Sequence, residues 1–359
     1  MKRMMFFAVM AALFISVMSC SYTPLIVDTD GDVVSGSIAE MVPVTLGGFE
    51  QWLVIRGVDR TNPVLLFIHG GPGFPETPLF HSMCGDLQED FVVVTWDQRG
   101  AGLSYSKDVP VESMTVEQFI TDAHELVGYL KERFGVEKIY IVGHSWGSVL
   151  GMHLIDRYPE DFYAYVGIGQ VVNMHENERI SYEYVYNRAM ELNDKKAIRE
   201  LEEVGPPVNG LYGDDPTDID KLLTQRKWLL KYGGALYGKT SYLSYYPTYI
   251  LSPEYSIFDS LNVLRGSKKS GELMNVQLRA VDLYTEIPEV EVPVYFFTGR
   301  HDYNTPFELV EEYYSILKVP RKELIWFEES AHSPNIEEPE RFTRLMVEKV
   351  LAETYSRFP

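Results

Sequence analysis

The chain has 359 residues, 45% of them hydrophobic and 23% charged, a composition that allows one large core with an insertion. A formal net charge of −20 leaves no surplus of Lys and Arg to meet phosphates, which excludes nucleic acid as an expected partner and disfavours anionic headgroups. Two cysteines, one of them at the end of an N-terminal leader, exclude a disulfide framework and a cysteine-based metal site.

That leader comes first in chain order. Lys2 and Arg3 precede an apolar run from Met4 to Met18, which closes on Ser19 and Cys20. A basic start, a short apolar run and a small-residue exit mark a secretory signal. The run is short for a membrane-spanning helix. Its ending, SVMSC, resembles a bacterial lipoprotein signal, although Val17 stands where such signals usually carry Leu. The resemblance implies removal of residues 1–19, lipidation of Cys20 and an exported protein whose one membrane contact is that lipid. Ser21 resembles the residue that follows the cysteine in outer-membrane members. Residues 20–40 are polar and weakly patterned, as in a tether or irregular lead-in.

The folded part opens with two alternating apolar runs around Gly47-Gly48, which predict a hairpin. VLLFIHG (64–70) and FVVVTWDQRG (91–100) are continuous β-rich runs ending in glycine, as buried parallel strands require. Helical spacing runs from Thr115, a candidate N-cap, to Phe134. KIYIVGHS is the next strand, Gly147 to Tyr158 the next helix, and FYAYVGIG a further strand. From Val171 to about Val290 the alternation gives way to Tyr- and Glu-rich helical patterning. It resumes with VPVYFFTG (292–299), a helix from Pro306 to Leu317, ELIWFEES (323–330) and a closing helix from Pro339. Alternating strands and helices predict an α/β fold with a doubly wound, mostly parallel sheet. The expected core is residues 41–170 and 291–359. Residues 171–290 form a helical cap insertion over the C-terminal strand ends, where such sheets bind ligands.

Gly143-His144-Ser145-Trp146-Gly147 fits G-x-S-x-G between a strand and a helix. That context presents Ser145 as a nucleophile on a sharp turn near a positive helix N-terminus. A serine needs a base, and the base needs an orienting carboxylate, in the order Ser, Asp or Glu, His. His332, in the small-residue loop EESAHSPN, suits the base better than His153, His175 or His301. Asp302, just past the strand VYFFTG, suits the acid, with Glu328 and Glu329 as weaker rivals. Asn304 is the better candidate to cap the helix that follows. The oxyanion calls for two backbone donors, assigned to Trp146 and to Gly71 in the His69-Gly70-Gly71-Pro72-Gly73 loop. Activity is expected to fall as pH drops and His332 protonates.

Together HGGPG (69–73), DQRG (97–100), GHSWGS (143–148), GRHDYNTP (299–306) and SAH (330–332) resemble the prolyl aminopeptidase (proline iminopeptidase) branch of the α/β-hydrolase superfamily. The resemblance implies an α/β-hydrolase fold, an acyl-enzyme mechanism, a small-molecule or short-peptide substrate, and no metal or organic cofactor. His144 stands where the branch often has Gly. Branch members hold the substrate's α-amino group with cap glutamates near a Trp-x-x-Trp-Glu segment. The counterpart here, KWLLKYGG, offers Trp228, Lys231 and Tyr232 but no acid. Candidate substrate contacts are therefore His69, Trp228, Tyr232, Glu178 and Glu202, with Glu203 as a further substitute. Three functions stay open: an aminopeptidase, an esterase of small lipophilic acyl compounds, and a non-catalytic binding protein. In the second, tyrosines 182, 186, 232, 237, 245 and 246 either line the pocket or build the cap's own core.

Overall fold

The computed structural model describes residues 21–215 and 219–355. The leader at 1–19 and Cys20 lie outside the described residues. The eight strands are β1 (Ile38–Leu46), β2 (Phe49–Gly57), β3 (Val64–Ile68), β4 (Val92–Asp97), β5 (Ile139–His144), β6 (Phe162–Ile168), β7 (Val294–Gly299) and β8 (Lys322–Phe327). They form one sheet in the order β1-β2-β4-β3-β5-β6-β7-β8. β1 and β2 form the expected antiparallel hairpin, and β2 runs antiparallel to β4. Every other pairing is parallel.

The continuous apolar runs have a simple cause. Val64, Leu66 and Ile68 face one buried cluster, while Leu65 and Phe67 face another. Side chains alternate across a strand, so a sheet covered on both faces needs apolar residues at every position. Helices α2 (Val116–Phe134), α3 (Trp146–Arg157) and α9 (Phe307–Ile316) cover the first face. On the second lie α1 (Thr77–Met83) and α10 (Pro339–Leu345). The Thr115 side chain caps α2, accepting the Gln118 N–H at 3.1 Å.

The cap enters after β6 and returns before β7. Its long helices are α4 (Met174–Glu191), α5 (Lys195–Val204), α6 (Asp220–Lys231) and α8 (Ile257–Arg279), with the short α7 (Tyr246–Leu251) ahead of α8. Two backbone bonds close its neck, Met174 N–H to Val281 O at 3.0 Å and Leu283 N–H to Val172 O at 2.8 Å. Helices α4, α5 and α6 share a core of their own around Val185, Leu201, Trp228 and Leu229.

Residues 21–37 are irregular, but they are not a slack tether. Tyr22 N–H donates to Pro253 O at 2.9 Å, and Ser21 Oγ donates to Asp259 at 3.0 Å. Arg56 of β2 donates to Pro24 O at 2.6 Å. The lead-in is thus pinned to the cap as well as to the sheet.

Candidate active site

Ser145 links β5 to α3 with φ 54° and ψ −118°, a backbone conformation that strains any side-chain-bearing residue. Its N–H donates to Ile168 O at 2.9 Å, which holds the turn against β6. The flanking glycines are required by close approach. A Cβ on Gly143 would meet Gly147 O at 2.5 Å, and one on Gly147 would meet Ile68 O at 2.1 Å. Only glycine lets the turn tighten this far, and tightening projects the serine from the sheet.

His332 and Asp302 meet where the sequence places them, with Nδ1 3.0 Å from Asp302 Oδ2. Both are buried. Asp302 is held on both oxygens. Oδ1 accepts from Asn304 N–H at 2.8 Å and Thr305 N–H at 2.9 Å, and Oδ2 accepts from Thr305 Oγ1 at 2.8 Å. Such a carboxylate can receive the Nδ1–H of His332 and leave Nε2 as the basic nitrogen. Ser145 and His332 line one cavity. The rivals lie elsewhere: Glu328 pairs with Arg300 at 3.0 Å on the surface, and Glu329 is exposed. His153 faces Glu286 at 3.4 Å, His301 stacks on Tyr237, and His175 is exposed. Asn304 does not cap the helix that follows; α9 begins at Phe307 with Pro306 at its N-cap and no capping side chain.

Gly71 lines the cavity beside Ser145, and Trp146 N–H heads α3. Neither N–H donates to an acceptor among the described residues. The neighbouring Gly70 N–H is committed to Glu76 Oε2 at 3.1 Å. Gln98 of DQRG fastens these pieces together. It accepts from Trp146 Nε1 at 2.9 Å and donates through its side chain to His69 O at 2.8 Å.

Sequence reasoning missed a buried ion pair beside the serine. His144 Nδ1 lies 2.7 Å from Glu76 Oε2, and His144 Nε2 lies 3.0 Å from His332 O. A carboxylate and a carbonyl can only accept, an arrangement that favours the imidazolium form of His144 with both ring nitrogens protonated. Burial opposes that charge, but the Glu76 carboxylate outweighs it and holds the imidazole above its ordinary pKa. Burial likewise disfavours the Glu76 carboxylate, and His144 overcomes it, so its pKa falls below the ordinary value. His69 is the opposite case. Its Nδ1–H donates to Gly70 O at 2.8 Å while Nε2 accepts from Gln98 N–H at 3.2 Å. Burial depresses it to about 4, so it stays neutral. The Glu76–His144 pair therefore ties together the Gly70 loop, the serine turn and the His332 loop. Its one signal in the sequence is His144 at a position where the resembled branch often has glycine.

The cavity over Ser145 has a volume of about 570 Å³. Its walls are mostly aliphatic and tyrosine, including Leu236, Val263 and Tyr249, and Glu76 is its one carboxylate among the described residues. The five residues expected to touch substrate do not line it. Glu178 is fully buried within the cap, bonded to Arg226 and Arg279. Burial works against its charge, and the two guanidiniums keep its pKa below the ordinary value. Glu202 is exposed and accepts from Tyr186 OH at 3.3 Å. Trp228 packs in the cap core and donates to Glu200 at 2.9 Å. Tyr232 lines a separate, open cleft of about 770 Å³ that contains no triad residue. His69 sits behind the loop, bonded to Gln98. Of the six insertion tyrosines, Tyr245 and Tyr246 reach the cavity. Tyr182, Tyr186 and Tyr232 belong to the cap core, and Tyr237 lines the open cleft.

Comparison with known proteins bears on the whole arrangement. The profile of the alpha/beta hydrolase fold matches residues 63–339. A probable aminopeptidase, YbaC, of Bacillus subtilis (strain 168) is 36% identical over 312 residues, which is 86% of this chain and 96% of that protein. A proline iminopeptidase of Heyndrickxia coagulans is 27% identical over 287 residues, 78% of this chain and 88% of its own. Among solved structures, the proline iminopeptidase of Mycobacterium smegmatis superposes with a TM-score of 0.60 at 16% identity, covering 88% of this chain and 99% of that one. A proline iminopeptidase-related protein of Thermus thermophilus gives 0.62 at 21% identity, with 88% and 98% covered. At these identities the two structures speak to the fold alone.

Proposed function

The chain belongs to the α/β-hydrolase fold family, and on that premise we propose a serine hydrolase that works through an acyl-enzyme, of the aminopeptidase kind. The observation that carries the serine mechanism is the strained Ser145 turn opening into the same cavity as the His332–Asp302 pair. His332 Nε2 takes the Ser145 proton as Oγ attacks a carbonyl carbon, and the Gly71 and Trp146 N–H groups receive the oxyanion. His332 returns the proton to the leaving amine or alcohol. Water, activated by the same imidazole, then releases the acid. The aminopeptidase reading draws on YbaC, which matches nearly end to end. A non-catalytic binding role gains nothing from these features.

A second reading, hydrolysis of lipophilic acyl esters, is favoured by the cavity wall. A free α-ammonium entering it meets a single carboxylate, Glu76, whose charge His144 already balances. Turnover of proline arylamide against short aryl esters separates the two. The aminopeptidase reading expects faster turnover of the free amine than of its N-acetyl form. Equal rates for the two, with faster ester cleavage, would leave the esterase. On the same footing we take the mature protein to be exported and lipid-anchored at Cys20, supported by the sequence of residues 2–21.

A further inference from the structure

An amphipathic helix normally buries its apolar stripe. The start of α8 turns one outward. Ile257, Phe258, Leu261 and Leu264 recur at helical spacing and all are exposed, Phe258 to 61%. Beside them Leu243 is 71% and Leu251 77% exposed. A contiguous apolar face of this kind marks an interaction surface. We propose that this face of the cap, residues 242–264, docks on an anionic lipid bilayer with the mouth of the Ser145 cavity turned toward it.

Three observations select a bilayer. First, the chain emerges there. Ser21 Oγ bonds Asp259 at 3.0 Å and Tyr22 N–H bonds Pro253 O at 2.9 Å, next to Phe258 and Leu251. Cys20, the residue proposed to carry the lipid, directly precedes Ser21 in the sequence. Acyl chains on Cys20 would enter lipid where the apolar face lies, and stable anchoring takes two such signals. Second, the local charge departs from the −20 of the whole. From 237 to 268 the exposed charged residues are Lys239, Arg265 and Lys268, although Lys268 lies 3.8 Å from Glu272. The two acids of that stretch are engaged, Glu254 with Ser252 at 2.6 Å and Asp259 with Ser256 at 2.6 Å. A basic edge beside an apolar face suits anionic headgroups. Third, the cavity opens here. Tyr242, Tyr246, Ile250, Ile257, Leu261 and Leu264 line the cavity and are also exposed, so they form its rim. Amphiphilic acyl substrates would then pass from the interface to Ser145, a consequence that rests on the hydrolase reading, whereas the docking does not.

The test uses the mature chain, residues 20–359, with Cys20→Ala so that no lipid contributes. Its co-sedimentation with 3:1 phosphatidylethanolamine:phosphatidylglycerol vesicles is compared with that of the Leu251→Ser/Phe258→Ser variant. Neither substituted side chain lines the cavity. The expected result is vesicle binding that weakens at least about tenfold in the variant, given the transfer free energy of two large apolar side chains. Turnover of a water-soluble aryl ester should be equal in both, which shows that the variant is folded. Absence of binding by the Cys20→Ala chain, or binding unaffected by the two substitutions, would overturn the proposal. So would sedimentation equilibrium showing a dimer that the substitutions abolish, since the face would then belong to a second copy. Vesicle binding without turnover of either the aryl ester or proline arylamide would instead remove the hydrolase reading and leave the docking in place.

Discussion

At the ends of β3, β5 and β7 the reactive groups are held by the backbone, whereas in the cap position depends on side-chain packing. Ser145 is held by a turn that only glycines permit, and Asp302 by two N–H groups of its own loop. The cap fixes nothing in this way. Its buried cluster of Glu178 with Arg226 and Arg279 holds helices together and does not line the Ser145 cavity. On the proposed reading, the difference teaches that acyl chemistry at a serine belongs to the sheet, while the cap sets what reaches it.

Substitutions can break or sharpen that contrast. On the sheet side, Ser145→Ala should lower kcat by at least about 10⁴-fold with an unchanged circular dichroism spectrum. Removing the Glu76–His144 pair should come next. Glu76→Gln should cost about 3–5 kcal/mol of stability and roughly 10²-fold in activity, because three loops around the serine lose their common tie. The pH dependence follows from the two shifted groups. Glu76, lowered from 4.5, adds stability present above that value and lost as pH falls through its folded pKa. His144, raised from 6.5, adds stability present below that value and lost as pH rises through its folded pKa. The pair's contribution is therefore full between about pH 4.5 and 6.5. Thermal unfolding of the parent should lose Tm from pH 6 to pH 9, and Glu76→Gln should flatten that loss.

The cap should respond more weakly and differently. Leu261→Ala at the cavity rim should shift the kcat/KM ratio for longer against shorter acyl groups by about tenfold, leaving the pH profile alone. Glu178→Gln should lower Tm yet keep kcat/KM of the folded fraction within about threefold, since Glu178 lines no cavity. A change of substrate preference in Glu178→Gln would contradict the division between sheet and cap.

The same contrast decides how much could be read from sequence. Strands showed as continuous apolar runs because both sheet faces are covered. Ser145, Asp302 and His332 showed because each follows a strand end and needs a particular local turn. The substrate candidates failed because periodicity cannot tell an inward face that meets helices from one that meets a cavity. Glu178 looked like a substrate carboxylate and is a packing charge. Glu76, in the loop segment GFPETP, forms the ion pair beside the serine. Its partner is 68 residues away, and nothing local announces such a contact.

The central claim is that Ser145 is the nucleophile. A fluorophosphonate probe, followed by peptide mass mapping, tests it most directly. The expected result is one adduct, on the peptide containing Ser145, that is absent in Ser145→Ala and formed much more slowly in His332→Ala. Labelling that persists in Ser145→Ala would contradict it.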